Sequence, residues 1–600
     1  MRAGCDVCKD FTVAQPMLQS LFPHNSVIYN TIEKRLRAAV TAVLPDAPVD
    51  SVLVRPCPDA QFGDYQANAL MGLAKERKMN PRQLAASVLE KLDVTDLCDK
   101  VDVAGPGFLN FRLKSEAMAA ELQNAMAVGP LFLTKAAAPR TVVLDFSSPN
   151  VAKPMHVGHI RSTILGECLA RAQRLLGHHA ITDNHIGDWG TAFGKLLLGW
   201  KREVNREALQ RDPIGEMERI YKSINAACDA DEVLYEQARL ELARLQAGDA
   251  ENLAIWREML ALSEVQFDTI YKRLGVKFDH ALGESFYNPR LPAVVQKLVA
   301  AGLAKESDGA IKVFFDDVPE LKEHPAVIQK SDGAATYTTT DLATLEYRMA
   351  TWSPDEIVYV TDGRQQQHFK EIFTTFRRWM PDAKVKLTHV WFGSILGEDG
   401  KPFKTRSGET VKLAELLDEA EERAFRVVSE KNPTATEAER KEIARIVGLG
   451  AVKYADMLPN RQSDYVFSWD KMLAFNGNTA PYLLYAYTRI RGIFRKAQEA
   501  GQSPSGGKLA LVAPQEIALA RHMLNFGLVL QAVVDDCRPN YLCNYLYELA
   551  GYFTGFYENC PVLKAAEGVE RETRLALCAL TAQVLRQGLE VLGIETTEKM

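Results

Sequence analysis

Residues 141–183 constrain this chain more than any other stretch: TVVLDFSSPNVAKPMHVGHIRSTILGECLARAQRLLGHHAITD. The run TVVLDFS is short, apolar and β-branched, which predicts a buried strand. A loop follows. From 158 to 176 the spacing is helical, with Ile160, Ile164, Cys168, Leu169, Ala172 and Leu176 on one face. Gly177 stands where a helix is expected to stop. HAITD then begins a second strand, and DNHIGDWG continues as its loop. Strand, loop, helix and strand in that order form the βαβ unit of a nucleotide-binding sheet.

Other segments arrange themselves around this unit. Residues 1–26 lack periodicity and read as an extension. Residues 27–130 form a small α+β unit. In it, YNTIEKRLRAAVTAVL and FGDYQANALMGLAKERK are expected as helices, PRQLAASVLEKL as a helix opening on proline, and VDVAGPGFLNFRL as a strand after a Gly-Pro-Gly turn. The sheet domain spans 140–440, with a helical, charged insertion at about 200–325. DEIVYVTDGRQQQH and VKLTHVWFGSIL are its later strands. Residues 441–600 are expected to be all-α, broken by AGQSPSGGK.

Composition removes several classes of function. The apolar fraction is 47% and the charged fraction 25%, as in an ordinary globular protein. No apolar run approaches the ~18 residues of a membrane span, and the first residues lack a secretion pattern. The net charge of −6 excludes a strongly basic, non-specific nucleic-acid binder but leaves room for a specific RNA partner. Ten scattered cysteines point to a reducing, cytoplasmic setting. Cys5 and Cys8 make a lone C-x-x-C with no second pair, so no metal site is expected.

His156 and His159 are the residues that most need a purpose. Metal ligation is disfavoured, because Gly158 lies between them and no H-E-x-x-H glutamate is present. Packing is an odd use for a Pro-x-His-x-Gly-His turn. A strand-to-helix turn presents backbone N–H groups and a positive dipole end, where phosphate binds readily. Two imidazoles and Lys153 add donors, and Gly158 lets a flat base approach the backbone.

H-x-G-H resembles the "HIGH" element of class I aminoacyl-tRNA synthetases and of related nucleotidyltransferases. The wider set of strings resembles the arginyl-tRNA synthetases: SSPNVAKPMHVGHIRST, DNHIGDWGTAFG, YTTTDLA and TDGRQQQHF, in that order. FGDYQAN and AGPGFLNF are similar to that family's N-terminal tRNA-contacting domain, and YELAGYFTGFYENCPVL and VLGIETTEKM to its C-terminal part. The resemblance covers about residues 28–600. It implies a class I Rossmann-like catalytic domain, a helical anticodon-binding domain, and three partners: L-arginine, ATP used as Mg-ATP, and tRNA(Arg). No tightly bound cofactor and no membrane partner are implied, and the family is often monomeric.

The resemblance also implies residue roles. His156, His159 and Lys153 are the catalytic phosphate contacts, and Gly158 and Lys404 join the two histidines on ATP. Asp145, Tyr337 and Asp341 match the positions that take the guanidinium, a planar fork that suits carboxylates. Asn150 and Gln365 match those that hold the amino-acid end. One departure is the loop GKPFKTRSGE, where Lys401, Lys404 and Arg406 keep the charge of a "KMSKS" element without its form. YAYTRIRGIFRKA combines basic and aromatic residues suited to unpaired bases. Three alternatives remain open here: a small-molecule nucleotidyltransferase, a synthetase for another amino acid, and a dead tRNA-binding paralogue.

Overall fold

The computed structural model describes residues 27–128, 131–403, 410–502 and 507–600. Cys5, Cys8, Lys404 and Arg406 lie outside them.

The predicted βαβ unit is present. Strand β1 (Thr141–Phe146) leads through a loop to helix α1 (Val157–Leu175) and strand β2 (His179–Asp183). Much later come helix α2 (Tyr337–Trp352), strand β3 (Glu356–Asp362), helix α3 (Gln366–Trp379) and strand β4 (Lys386–Phe392). The sheet order is β4-β3-β1-β2, parallel throughout. Chain order therefore reverses between β1 and β3, and ligands of such sheets bind at the carboxyl ends beside that reversal. The register sets Asp145 level with Asp183 on one side and with Tyr359 on the other.

Helix α1 carries the predicted apolar face, yet it is buried on every side, Arg161, Glu167 and Gln173 included. It lies between the sheet and the helices Glu437–Met457, Phe526–Asp536 and Val569–Val591. In this buried setting Arg161 pairs with Asp456 and Glu167 with Arg171. Gly177 stops it at φ +89°.

Two expectations about regular structure change. The stretch FGDYQANALMGLAKERK is not one helix: Tyr65–Ala67 is a strand, and only Ala69–Glu76 is helical. Gly63 forces this, because at φ +152° a Cβ there would meet the Phe111 carbonyl oxygen at 2.8 Å. Chain pairing next to Phe111 begins at that point, where Asp64 donates its N–H to the same oxygen (2.7 Å). The run 98–113 is a hairpin, Cys98–Ala104 with Phe108–Leu113, turning through Gly105 and Gly107. The insertion begins as expected with helices, from Thr191–Glu203 to Ala250–Leu274. It then forms an antiparallel three-stranded sheet, Ala304–Ser307, Ala310–Val313 and Ala326–Gln329, so it is not wholly helical. Residues 440 and 441, expected as a domain boundary, fall inside the helix Glu437–Met457.

Candidate active site

The loop from β1 to α1 is held in a costly conformation. Ser147, Ser148 and Ala152 all lie in the left-handed region, at φ +76°, +48° and +61°. Non-glycine residues there cost about 1–3 kcal/mol each and persist only where neighbours over-determine them. Ser147 donates its N–H to Ser162 Oγ (2.8 Å), and its hydroxyl meets Tyr271 OH (2.8 Å). Ser148 donates its N–H to Asn184 Oδ1 (3.0 Å), and Ala152 donates to Ser263 Oγ (3.0 Å). Tyr271 and Ser263 belong to the inserted helix Ala250–Leu274, so the insertion is part of the site's foundation.

The two histidines cap α1. His156 Nδ1 accepts the Gly158 N–H (3.1 Å), and His159 Nδ1 accepts the His156 N–H (3.1 Å). Each Nδ1 is therefore a lone-pair acceptor, which assigns the ring hydrogen to Nε2 in the neutral tautomer. Burial pulls the His159 imidazole down to about 3, with His156 adding to the effect. Burial also lowers His156, and Arg364 and Lys153 push the same way. Both rings are neutral Nε2–H donors at pH 7. The expected free N–H groups of the turn are already in use: Val157 donates to the Val411 carbonyl (2.9 Å), Gly158 to His156, and His159 to the His156 carbonyl (2.8 Å). An anion would thus be met by side chains and the helix dipole. Gly158 is needed for a nearer reason than a base, because a Cβ there would meet the folded-back His156 ring at 2.9–3.0 Å. Lys153 sits 4.7 Å from the Tyr221 ring and has no carboxylate partner among the described residues.

Asp145 departs from expectation. It is 4% exposed, and its Oδ2 accepts Nη2 of Arg348 (2.6 Å), which also bonds Asp183 Oδ2 (2.8 Å). Burial drives the Asp145 carboxyl up, and Arg348 opposes it. The chain's own guanidinium thus bonds one oxygen of this acid, and the other takes the Ser148 hydroxyl (3.3 Å). Asp341 is different. It begins the exposed end of α2 together with Tyr337, which is 67% exposed. Asp341 Oδ2 accepts Nε2–H of His368 (2.7 Å), on which the Tyr337 ring sits edge-on at 4.7 Å. No lysine or arginine pairs with Asp341 among the described residues.

The sequence reading missed Glu284. It opens the short helix Glu284–Tyr287. Burial, helped by Asp188 and Asp341 and opposed by His185, holds its carboxyl up at about 7. Its charged neighbours are thus one imidazole and two acids, and no lysine or arginine pairs with it among the described residues. A continuous chain of contacts places it: Asn150 bridges to Gly187, and the next residue, Asp188, accepts both the N–H (2.8 Å) and the hydroxyl (2.5 Å) of Ser285. A side chain at Gly187 would strike Asn150, and one at Gly283 would strike Asp188. Only the run G-E-S after a loop marked Glu284, and no spacing rule singles that out. Asn150 and Gln365 are exposed, Gln365 at the end of the turn Gly363–Gln365 that follows β3.

The lysine-bearing loop joins the same place. After the undescribed residues 404–409, Val411 pairs with Val157 and Leu413 donates its N–H to the Met155 carbonyl (2.8 Å). Its other end pairs Ile395–Leu396 with Tyr465–Val466. Lys401 is exposed, and Lys404 is outside the described residues. Farther away, Arg489 lies between the Tyr485 and Tyr557 rings, while Arg491 pairs with Glu598. Beside them a cavity of about 360 Å³ is lined by Lys431, Phe475, Tyr485 and Met600, among others.

Comparison with known proteins agrees with this layout. Residues 121–469 match the catalytic domain described as tRNA synthetases class I (R), residues 483–600 the DALR anticodon binding domain, and residues 30–113 the arginyl tRNA synthetase N terminal domain. The chain is 46% identical over 576 residues to the arginine–tRNA ligase of Proteus mirabilis, covering 95% of this chain and 99% of that one. It is 46% identical over 580 residues to that of Chromobacterium violaceum, covering 96% and 100%. The Thermus thermophilus arginyl-tRNA synthetase structure superposes with a TM-score of 0.80 at 26% identity, covering 96% of this chain and all of that one. The Plasmodium falciparum arginyl-tRNA synthetase structure does so at 0.79 and 28%, with the same coverage.

Proposed function

The chain belongs to the arginyl-tRNA synthetase family, and from that premise we propose how its own residues attach arginine to tRNA. It is an arginine–tRNA ligase acting on L-arginine, ATP and tRNA(Arg). In the first step the arginine carboxylate attacks the α-phosphorus of ATP, and pyrophosphate leaves. In the second, a ribose hydroxyl of the 3′-terminal adenosine attacks the arginyl carbonyl, and AMP leaves. No protein nucleophile takes part, so the rate comes from positioning and from charge stabilisation.

His156 and His159 serve as neutral hydrogen-bond donors to the phosphates through Nε2–H. Lys153 supplies the fixed positive charge, and the lysines at 401 and 404 add to it. The substrate guanidinium lies between Asp341 and Glu284, with Tyr337 over it. Asn150 and Gln365 hold the amino-acid end. Asp145 stands behind, neutralised by Arg348. The observation that carries this pocket is the contrast in partners: Asp145 is already bound by an arginine of the chain, whereas Asp341 and Glu284 lack a lysine or arginine partner among the described residues. The charge on Glu284 then becomes favourable only when a cation arrives. ATP enters as Mg-ATP with no resident cofactor, the chain works as a monomer, and its setting is the cytoplasm, in keeping with eight free cysteines among the described residues. The aromatic and basic surface around Arg489, Tyr485 and Met600 receives the anticodon loop.

Pyrophosphate exchange into ATP, measured for each of the twenty amino acids with and without bulk tRNA, tests the reading. Exchange with arginine alone, and only with tRNA present, is the expected result. Exchange driven by another amino acid overturns the pocket, and none under any condition overturns the chemistry.

A further inference from the structure

Two helix C-termini meet deep in the molecule: that of Ala250–Leu274 and that of the last helix, Val569–Val591. Both present carbonyl oxygens without helical partners and the negative end of a dipole, so their approach is unfavourable unless donors stand between them. Two basic side chains do. Lys453, 4% exposed, donates Nζ to the carbonyls of Leu274 (2.8 Å) and Gly593 (2.6 Å). Arg171 donates Nη2 to the carbonyl of Gly275 (2.6 Å), Nη1 to that of Glu590 (2.8 Å), and Nε to Glu167 (2.7 Å). Each side chain thus bonds both helix ends. Burial and the nearby Arg171 bring the Lys453 ammonium down to about 7, against Glu595 and Glu167, and the carbonyls can take its hydrogens in either protonation state.

What these side chains connect gives the arrangement its meaning. Helix Ala250–Leu274 carries Tyr271 and Ser263, the residues that hold the strained loop in front of His156. Arg171 is on α1, the helix that the two histidines cap. On the other side, the chain beyond Gly593 is tied to the helical body: Glu595 pairs with Arg445, and Glu598 takes Arg491 on its side chain and Arg495 on its carbonyl. Arg491 and Arg495 belong to the helix Ala480–Glu499, which also carries Tyr485 and Arg489. One turn beyond Lys453, Asp456 pairs with Arg161 of α1 (3.1 Å), and Arg161 bonds the carbonyl of Gly393 (2.7 Å) at the root of the lysine-bearing loop.

We propose that Lys453 and Arg171 are positioning residues of the activation step, which transmit the placement of the C-terminal tail to the histidine loop through helix Ala250–Leu274. The proposal rests on the reading of the chain as a tRNA ligase, and not on which acids hold arginine. A tail displaced by bound tRNA moves the Gly593 carbonyl, Lys453 follows it, and the inserted helix shifts Tyr271 and Ser263 against Ser147 and Ala152.

The test uses the full chain with bulk tRNA. Lys453→Met, Lys453→Arg, Arg171→Met and Tyr271→Phe are compared in pyrophosphate exchange, with tRNA affinity and thermal midpoint measured alongside. Lys453→Met is expected to lower kcat by about ten- to a hundredfold, the scale of a displacement of about 1 Å at reacting groups. The arginine KM and the tRNA Kd are expected to stay within about threefold, and Lys453→Arg to recover most of the rate. The double variant Lys453→Met with Tyr271→Phe is expected to be no slower than the worse single, because both act on one path. Full kcat in Lys453→Met, or strictly additive losses in the double variant, overturns the proposal. If Lys453→Met does not fold, Arg171→Met carries the same expectations and the same refutations. A wild-type enzyme without arginine-dependent exchange would refute the ligase reading instead, so the two failures are distinguishable.

Discussion

Two acidic groups stand at the carboxyl end of one sheet, and they have opposite fates. Asp145 and Asp183 face each other across β1 and β2, and Arg348 closes them with two short bonds at 0% exposure of its own side chain. Asp341 and Glu284 face the cleft: Asp341 bonds the His368 imidazole, and Glu284 is held up by burial, with His185 opposing and Asp188 and Asp341 adding to it. The first group is an ion pair within the chain, closed through Nη2 of Arg348. The second has no lysine or arginine partner among the described residues, which is why the proposed pocket is placed there. A carboxylate without a lysine or arginine partner gains more from a guanidinium substrate than one whose charge Arg348 already offsets.

The largest effect tests the closed group. Arg348→Met leaves two buried carboxylates side by side, and unpairing a buried charge costs about 3–5 kcal/mol. Urea titration should show that loss in the midpoint, and an unchanged midpoint would break the comparison from its closed side.

Next comes the open group. Asp341→Asn removes a charge-assisted contact worth about 1.5–3 kcal/mol, a rise of about ten- to a hundredfold in the KM for arginine. Asp145→Asn should lower stability while leaving that KM nearly unchanged. If Asp145→Asn raises the arginine KM as much as Asp341→Asn does, the two groups are not distinct.

The smallest effect is in pH. Glu284 is held up at about 7 in the empty site. A guanidinium binds the ionised carboxylate and lowers its pKa, so below about pH 7 binding must release a proton. Arginine affinity should therefore fall as pH drops through 7, by at most about tenfold per unit. Glu284→Gln should flatten that slope. At saturating arginine, kcat should show no imidazole step between about pH 6.5 and 8, because burial lowers both His156 and His159 below the ordinary imidazole value. A titration near 6.5 that vanishes in His159→Asn would contradict the neutral-donor assignment.

Much of the site was legible because its signals are short in sequence. The strand 141–146, the helix behind it and the stop at Gly177 follow from side-chain period and one glycine. The helix start at Tyr337 puts Tyr337 and Asp341 on one face, as their spacing implies. Local signals failed where a distant partner intervened. The strand Tyr65–Ala67 was hidden in a helical pattern because its reason is the Phe111 carbonyl. The turn's N–H groups were expected to be free, and Val411, the His156 ring and the His156 carbonyl take them. Asn150 and Gln365 are exposed around the cleft, whereas Lys404 falls outside the described residues.

The sequence by itself determined the βαβ unit, the histidine pair at its turn and the order of the bodies, since period, capping and turn chemistry act between near neighbours in the chain. Only the tertiary structure decided which acids remain available. Arg348 reaches Asp145 across 203 residues of chain, and Glu284 comes near Asp341 through a short turn that no periodicity marks. Charge compensation depends on distance in space and on burial, and neither quantity is written in the spacing of residues along the chain.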